Sequence, residues 1–360
     1  MEHTKNRFFW ILPVLFGALT MACWLHRPQE ESLTERRKLA KLPDLTWRSV
    51  QSGSFASGFE SYTQDQFPLR ETFRQAKALF SLRVLGRLDN NGIYESKDGF
   101  LAQLEYPMDE TSVDYAASRF QAVYDRYLSG SNRVYVSVIP DKSQFLNVPK
   151  LSYGDFIARL QADMPFAAYL DISDTLTLDS FYRTDTHWRQ EAIFPAAQRL
   201  AAGMGKTLTA DYTVQTAKTD FCGVYGGQSA LNPKGEPLNY IWTPDWDSVT
   251  VWDREHDRAA GIFDWDALEG RDPYAFFLSG SVSLVTLTNP EAATQDRLLL
   301  FRDSFGSSIA PYFLEQYREV TLVDIRYLSP ERLEKLLDFT DCDVLFLYST
   351  LVLNNSGTIK

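Results

Sequence analysis

The chain has few of the residues that most often bind metal ions in proteins. It contains four histidines and three cysteines among 360 residues. A metal centre needs several histidine, cysteine or carboxylate ligands at short spacings, and no stretch of the sequence clusters them in this way. We therefore expect no bound metal and no other cofactor.

Cysteine also says little about the compartment in which the protein works. Cys23 lies in an apolar segment near the N-terminus, whereas Cys222 and Cys342 are far apart in the rest of the chain. Neither of these two has a partner at a metal-ligand spacing. They could pair as a disulfide or both stay reduced, and the sequence does not decide between the two states.

Basic residues are outnumbered by acidic ones, 36 to 47, so the formal net charge is −11. Because nucleic-acid phosphates are bound by clustered Lys and Arg, this balance argues against nucleic acid as a partner. Apolar residues make up 44% of the chain and aromatic residues 14%. These fractions are typical of an ordered globular protein with a sizeable core.

One long apolar run lies near the N-terminus, at residues 8–25, and basic residues precede it. As a helix it would span roughly 27 Å, about the thickness of a hydrocarbon core, and the positive-inside rule then places the bulk of the chain outside the cytoplasm. We expect a cytoplasmic tail (1–7), a single-pass signal anchor in the cell membrane (8–25), a stalk (26–55) and an extracytoplasmic domain (56–360). A cleaved signal peptide and a lipid-modified Cys23 remain alternatives.

After the stalk, the sequence alternates between strand and helix patterns. A hairpin is predicted around the turn at residues 97–99. Helices are predicted at 113–128 and 190–202, and strands at 134–139 and 167–172. This alternation is typical of an α/β protein.

The C-terminal third predicts a βαβαβ arrangement. Strands are expected at 297–301, 319–324 and 343–348, with helices at 309–317 and 329–339 between them. Almost continuous apolar strands are typical of a parallel sheet that helices cover on both faces. In such sheets, functional sites form beyond the carboxyl ends of the strands.

Only His187 among the four histidines lies in a context that suits catalysis. It follows Asp185 by two residues, so in an extended segment both side chains leave the same face. The carboxylate can then orient one imidazole nitrogen and stabilise the imidazolium, which leaves the other nitrogen to act as a base. A structural histidine that caps the following helix is an equally good interpretation of this short pattern.

Ser304 lies where a predicted strand turns into a predicted helix, in the stretch LFRDSFGSS. Such a turn projects a hydroxyl above the sheet, close to the backbone N–H groups of the helix start, as in a nucleophile elbow. A helix cap is the alternative, but Ser307 or Ser308 fits that role better. Together with Asp185 and His187, Ser304 makes a coherent set for acyl transfer.

These residues resemble a known family. The motif Asp185-Thr186-His187-Trp188, followed over a hundred residues later by Asp-Ser-Phe at 303–305, resembles the DHHW proteins of Gram-positive bacteria. Those are similar in turn to the SGNH-hydrolase-like domains of the alginate acetylation proteins AlgX and AlgJ. The stretch 59–73 and the NNGIYESKDGFL hairpin also resemble that group, so the resemblance covers most of the chain after the apolar run.

The resemblance implies an SGNH-hydrolase-like parallel sheet flanked by helices. It makes Ser304 the nucleophile, His187 the general base and then acid, and Asp185 the partner that orients His187. The motif order is permuted, because the Asp-His pair precedes the serine. Thr186 departs from the family's second histidine, but on an extended segment it should point away from the pair.

Further site residues are implied only loosely. Such proteins place substrate-contacting groups after the next two strands, which points to Arg326 and Tyr348. The glycine and asparagine blocks that form the family's oxyanion hole have no convincing counterpart, and Gly280 and Asn289 are placeholders for them.

The resemblance further implies O-acyl transfer, with acetyl as the expected group, to a hydroxyl of a cell-envelope or exported glycan. A membrane-bound O-acyltransferase would supply the acyl groups. A carbohydrate esterase with the same triad is an alternative, as is a non-catalytic protein of the envelope that binds glycan or serves as a scaffold in sporulation or wall assembly. For a glycan-binding protein, tryptophans in the stretch 240–265 could stack on sugars, although core packing is a common use of such rings.

Overall fold

The structure, a computed structural model, describes residues 2–128, 130 and 132–360, without the side chains of residues 2–9, 12 and 24. The side chains of the predicted tail, and some of those of the predicted anchor, therefore lie outside the described part of the chain. The chain divides into two compact units, one made of the residues up to Asn91 with Gly227–Asn232, and the other of Gly92–Gly226 with Pro233–Lys360. The predicted boundaries of tail, anchor, stalk and domain stay predictions.

The first unit is mostly helical. Its elements are α1 (Glu2–Leu25), β1 (Glu31–Ser32), β2 (Arg37–Lys38), α2 (Trp47–Gln51), α3 (Ser54–Asp65), α4 (Arg70–Leu79) and β3 (Asp89–Asn90). In the part of the chain that the structure describes, no helix is long and apolar enough to cross a membrane. The predicted anchor stays a prediction.

The segment predicted as a stalk is attached to its own unit by charged contacts. Arg37 donates to both carboxylate oxygens of Asp65, at 2.8 and 2.5 Å, and Glu35 accepts from Arg70 at 2.5 Å. The hydrogen bond from Arg37 lowers the pKa of Asp65 to about 2. At least the middle of this segment thus packs on α3 and α4.

The second unit contains the large sheet. Its strands are β4 (Ile93–Glu95), β5 (Leu101–Gln103), β6 (Arg133–Ile139), β7 (Ala168–Tyr169), β8 (Thr213–Phe221), β9 (Glu236–Trp242), β10 (Thr250–Asp253), β11 (Arg258–Ala260), β12 (Leu284–Thr288), β13 (Arg297–Arg302), β14 (Glu319–Val323) and β15 (Cys342–Ser349). Its helices are α5 (Glu110–Tyr127), α6 (Tyr153–Asp163), α7 (Phe194–Gly203), α9 (Gly306–Ile309) and α10 (Thr350–Leu353). The short helix α8 spans Val224–Ser229.

Eight strands form the main sheet, in the order β11-β10-β12-β14-β13-β15-β6-β7. The five from β14 to β7 run parallel, whereas β12, β10 and β11 each pair antiparallel with their neighbours. The predicted parallel sheet thus corresponds to these five strands, and three antiparallel strands extend it on one side. Short connections of the hairpin kind join β10 to β11, and such connections can only produce antiparallel pairs.

Both faces of the central strands are buried, as their apolar composition predicts. Along β15, Val344 and Phe346 belong to one core cluster, whereas Leu345 and Leu347 belong to another. Phe346 packs on Phe120 of α5, with ring centroids 4.9 Å apart. Because side chains alternate between the faces of a strand, this division places one core on each side of the sheet.

Most of the predicted elements are present, with shorter helices in the C-terminal third. The predicted helix at 309–317 is the short α9 followed by a 3-10 turn (Ala310–Glu315), and the one at 329–339 is a 3-10 turn (Pro330–Lys335). Proline near the start of each turn suits a single tight turn, and the short distance between neighbouring strands does not require more. No disulfide joins Cys222 to Cys342 among the described residues.

Candidate active site

Ser304 lies just beyond β13, a strand in the parallel part of the sheet. It is partly exposed, whereas Asp303 and Phe305 on either side are buried. The chain then turns sharply into α9 at Gly306, where a Cβ atom would lie only 2.6 Å from the Cβ of Arg302. Glycine therefore lets this turn pack tightly against the end of its own strand.

The buried carboxylate of Asp303 holds the turn in place. Its Oδ1 accepts from the N–H of Phe305 at 3.0 Å, and its Oδ2 accepts from both the N–H and the hydroxyl of Ser349, at 2.8 and 2.7 Å. Ser349 is the last residue of β15, the neighbouring strand. Asp303 thus joins the ends of β13 and β15 next to Ser304.

His187 contacts both of the residues that the sequence pairs with it. Its Nε2 lies 2.7 Å from the hydroxyl oxygen of Ser304, and its Nδ1 lies 2.5 Å from Oδ1 of Asp185. The serine and the histidine are 117 residues apart in the sequence. The three side chains therefore form a continuous hydrogen-bonded chain from a buried carboxylate to a partly exposed hydroxyl.

Asp185 is completely buried, and backbone N–H groups satisfy both of its oxygens. Oδ1 accepts from the N–H of His187 at 3.1 Å, and Oδ2 accepts from the N–H of Val224 at 2.8 Å. Gly223 allows this approach, because a Cβ atom there would lie 2.2 Å from the Cβ of Asp185. Hydrogen bonds of this kind favour the ionised carboxylate that an imidazolium requires.

Aromatic packing fixes the plane of the His187 ring. The ring of Tyr274 stacks on it, with centroids 3.7 Å apart and an angle of 5° between the planes, and Phe305 packs against it at 4.8 Å. The hydroxyl of Tyr274 donates to Ser308, and burial raises its pKa well above the usual value. Tyr274 thus stays neutral while it holds the imidazole.

Trp188, the last residue of the motif, anchors the segment from the other side. Its ring is fully buried, and its Nε1 donates to the hydroxyl of Ser308 at 2.8 Å. Ser307 and Ser308 lie within α9, so the sequence-based suggestion that one of them caps the helix is wrong. Their hydroxyls contact the carbonyl oxygens of Gly280 and Phe305 instead.

Arg326 follows β14, and Tyr348 lies within β15. The two residues differ in their hydrogen bonds. Arg326 donates to both carboxylate oxygens of the buried Asp324, at 2.9 and 2.7 Å. The hydroxyl of Tyr348 is buried and has no hydrogen-bond partner among the described residues, and burial raises the pKa of Tyr348 well above the usual value. The fully buried guanidinium of Arg302 lies 3.7 Å from Asp324. As candidate substrate contacts, Arg326 and Tyr348 stay predictions.

Gly280 and Asn289 are the two placeholders for the oxyanion hole. The N–H of Gly280 already donates to the carbonyl of Phe277, and its own carbonyl accepts from Arg302. Asn289 follows β12, which runs antiparallel to β14 and places Thr288 opposite Glu319. Asn289 therefore lies at the edge of the sheet opposite Ser304, and the oxyanion role of both residues stays a prediction.

Three backbone N–H groups of the turn after Ser304 already have acceptors. The N–H of Phe305 donates to the Asp303 carboxylate, the N–H of Gly306 to the Asp303 carbonyl and the N–H of Ser307 to the Ser304 carbonyl. The expectation that backbone N–H groups near Ser304 stabilise an oxyanion stays a prediction. The helix has only four residues, so its dipole adds little.

Some residues of the site carry no recognisable signal in the sequence. Lys142 follows β6 and donates to carbonyls of the segment that carries Asp185. Tyr274 lies in a loop, and Gly223 is one of 19 glycines. The only hint was the position of Lys142 at the carboxyl end of a predicted strand, where functional groups of α/β proteins collect.

The tryptophans of the stretch 240–265 divide between the core and the surface. Trp246 is 3% exposed and belongs to the core, whereas Trp252 and Trp265 are 44% and 55% exposed. Trp242 packs against the core from its edge. The prediction of core packing thus holds for part of the set, and two rings are accessible.

Solved structures show what this chain is similar to. A DHHW family protein from Eubacterium siraeum matches with a TM-score of 0.60 and 19% identity over 75% of this chain and 95% of that one. PatB1 of Bacillus cereus, solved with a sulfonyl adduct, matches with a TM-score of 0.58 and 19% identity over 72% and 95%. The O-acetyltransferase domain of Pseudomonas putida AlgJ follows at 0.46 and 13% over 73% and 92%, too distant to support an argument.

No protein-family model matches the chain, and no curated protein does. At the identities of the structural matches, the likeness shows the fold and leaves activity to be argued from the site. Within that limit, the resemblance expected from the Asp185-Thr186-His187-Trp188 motif is confirmed. The chain has the fold of the DHHW family protein and of PatB1, a mixed α/β fold with helices around a large central sheet.

Proposed function

We propose that this protein is an SGNH-like enzyme that transfers an O-acyl group, with acetyl as the expected group, to a glycan of the cell envelope or an exported glycan. The observation that carries the proposal is the position of His187, whose two nitrogens contact Ser304 and Asp185 at 2.7 and 2.5 Å. A partly exposed hydroxyl on a buried, oriented imidazole is the arrangement that activates a serine nucleophile.

In the first half-reaction, Nε2 of His187 takes the proton of Ser304 as Oγ attacks the carbonyl carbon of an acyl donor. The tetrahedral intermediate collapses, and His187 returns the proton to the leaving group. In the second half-reaction, a glycan hydroxyl gives its proton to His187 and attacks the acyl-serine. The ester then forms on the glycan, and Ser304 recovers its proton. Asp185 stays ionised and stabilises the imidazolium in both halves.

The glycan acceptor is proposed from the sequence resemblance, with the exposed rings of Trp252 and Trp265 as supporting surface features. Flat aromatic faces of this kind can pack on the apolar faces of sugars. We further propose a membrane-bound O-acyltransferase as the acyl supplier, since the acceptor lies outside the cytoplasm in this scheme.

We also propose that the bulk of the chain is extracytoplasmic and held to the cell membrane by residues 8–25. Described apolar side chains of α1 support this location, since Trp10, Phe16 and Leu25 are 66%, 70% and 75% exposed. Fractionation tests it, because a chain lacking residues 1–25 should leave the membrane fraction while the full chain requires detergent. Equal distribution of both would contradict the proposal.

Covalent labelling with an aryl sulfonyl fluoride tests for an activated serine, a reagent class chosen because PatB1 of this fold carries a sulfonyl adduct. The wild type should become labelled on Ser304, and both Ser304→Ala and His187→Ala should abolish labelling. Ser307→Ala is the matched control, because this neighbouring buried serine contacts Gly280 rather than His187.

An unlabelled wild type that is folded by circular dichroism would contradict an activated serine and favour a non-catalytic glycan-binding or scaffold role. If labelling occurs, incubation with an activated acetyl ester and an oligosaccharide separates the two enzymatic outcomes. Acetylated sugar in the mass spectrum indicates the transferase. Free acetate alone indicates the esterase, because water then takes the place of the sugar hydroxyl.

A further inference from the structure

A buried lysine lies beneath the segment that carries the Asp-His pair. Lys142 follows β6 by three residues, in a 3-10 turn that begins after Asp141, and its side chain is completely buried. Lysine is one of the residues least often buried in this way, because its ammonium group loses its hydration. A buried lysine therefore needs partners of its own.

Backbone carbonyls are those partners. The Nζ atom of Lys142 donates to the carbonyls of Tyr182, at 2.8 Å, and Asp185, at 2.5 Å, and lies 3.3 Å from the carbonyl of Arg183. One ammonium group has three N–H donors, so these contacts use all of its capacity. All three carbonyls belong to the short segment that ends at the Asp-His pair.

The contacts converge on the residue that orients the histidine. The carboxylate of Asp185 contacts His187, while the carbonyl of the same residue accepts from Lys142. Displacement of this carbonyl would therefore move the carboxylate as well. A displacement of about 1 Å at such a site costs on the order of a hundredfold in rate.

From these contacts we infer that Lys142 is a positioning residue, one that holds the Asp185–His187 segment at the distance from which His187 can activate Ser304. The inference rests on the proposed function, since it assigns a role within the same site. Lys142 contacts no reacting atom and is not a catalytic residue.

The charges around Lys142 suit this role. The negative charges of Asp141, Asp185 and Glu236 act on the ammonium group, and the ring of Tyr225 lies under it at 5.0 Å. Burial lowers the pKa of Lys142 to about 8, and the three carboxylates oppose this shift. The charged form, with three donors, thus predominates below pH 8, and one donor is lost as the pH rises through that value.

Lys142→Met removes the ammonium group and retains the length of the side chain. We expect the rate constant for inactivation by the sulfonyl fluoride to fall at least tenfold at pH 7. Lys218→Met is the matched control, because Lys218 also donates to a loop carbonyl, that of Leu268 at 2.9 Å, but away from the triad. It should leave the rate constant unchanged. A wild-type rate constant in folded Lys142→Met would overturn the inference.

A second measurement needs no substitution at Lys142, in case that variant does not fold. In the wild type, we expect the rate constant of inactivation to fall as the pH rises through about 8. Burial also raises the pKa of Glu105 to about 8, so Glu105→Gln is required as a control. The fall should persist in Glu105→Gln. A flat profile to pH 9, or a fall that Glu105→Gln removes, would contradict the role of Lys142.

The two proposals fail in different ways. If the wild type is not labelled at any pH, the proposed function fails. If it is labelled but Lys142→Met reacts like the wild type, only the positioning role fails.

Discussion

Among the described residues, two aspartate–histidine pairs have the same kind of hydrogen bond between carboxylate and imidazole but differ in their surroundings. His187 contacts Asp185 at 2.5 Å, and His256 contacts Asp253 at 2.8 Å, in each case through Nδ1. Both carboxylates are buried and both also accept backbone N–H groups. The local chemistry of the two pairs is therefore almost the same.

The two imidazoles, in contrast, have different surroundings. The side chain of His187 is 8% exposed, stacks on Tyr274 and contacts Ser304, whereas the side chain of His256 is 54% exposed. A second cation, Arg258, shares the carboxylate of Asp253 at 3.4 Å. An aspartate beside a histidine is thus a common structural pair. Burial and a serine from a distant strand distinguish the one that can do chemistry.

The largest effect that separates the pairs is expected from Asp185→Asn. An amide cannot stabilise the imidazolium and favours the wrong tautomer, so we expect the rate constant of sulfonyl fluoride labelling to fall about 10⁴-fold. Asp253→Asn, the matched control, should label at the wild-type rate. If the wild type, Asp185→Asn and Asp253→Asn were labelled at equal rates, the proposed difference between the two pairs would be wrong.

A smaller effect is expected from Gly223→Ala, because the added methyl group would clash with Asp185. The added Cβ would lie 2.2 Å from the Cβ of Asp185 and 2.3 Å from its Cα. We expect a loss of about 1–3 kcal/mol in the free energy of unfolding and slower labelling. Denaturant titration measures the first effect. Unchanged stability would show that the loop can move aside. Gly154→Ala, which meets no atom within 4 Å, is the control.

Tyr274→Leu tests the ring that only the first pair has. Loss of the stacked contact should cost about 1 kcal/mol beyond the lost buried area, and a less restricted imidazole should lower the rate of labelling. Tyr274→Phe retains the ring and should label nearly normally. If the two variants behave alike, the hydroxyl contact to Ser308 is more important than the stacking.

The smallest effect is expected at the second pair and concerns stability alone. Burial alone would raise the pKa of Asp253. The hydrogen bonds from His256 and Arg258 outweigh burial, so the pKa of Asp253 is lowered. A carboxylate with a lowered pKa stabilises the fold above its ordinary value and loses this contribution as the pH falls. Asp253→Asn should therefore lower the melting temperature slightly at pH 6 and progressively less towards pH 3. A constant difference would contradict this.

Local sequence pattern was sufficient for much of the molecule. The apolar runs that become β13, β14 and β15 predicted buried parallel strands, because a strand covered on both faces needs apolar residues at every position. The Asp-x-His spacing and the position of Ser304 after a strand predicted the three residues that the fold brings together. The same reasoning did not predict the antiparallel strands β10, β11 and β12, since strand direction depends on how distant segments pair.

Residue identity alone thus determined which side chains could take part in acid–base chemistry, and it drew attention to His187 because the chain has so few histidines. Only the tertiary structure decided which Asp–His pair is buried and which serine it contacts. It also brought Lys142 beneath the segment and Gly223 against Asp185. The physical reason is that burial, stacking and hydrogen-bond distances result from packing between segments far apart in the sequence, which no local pattern contains.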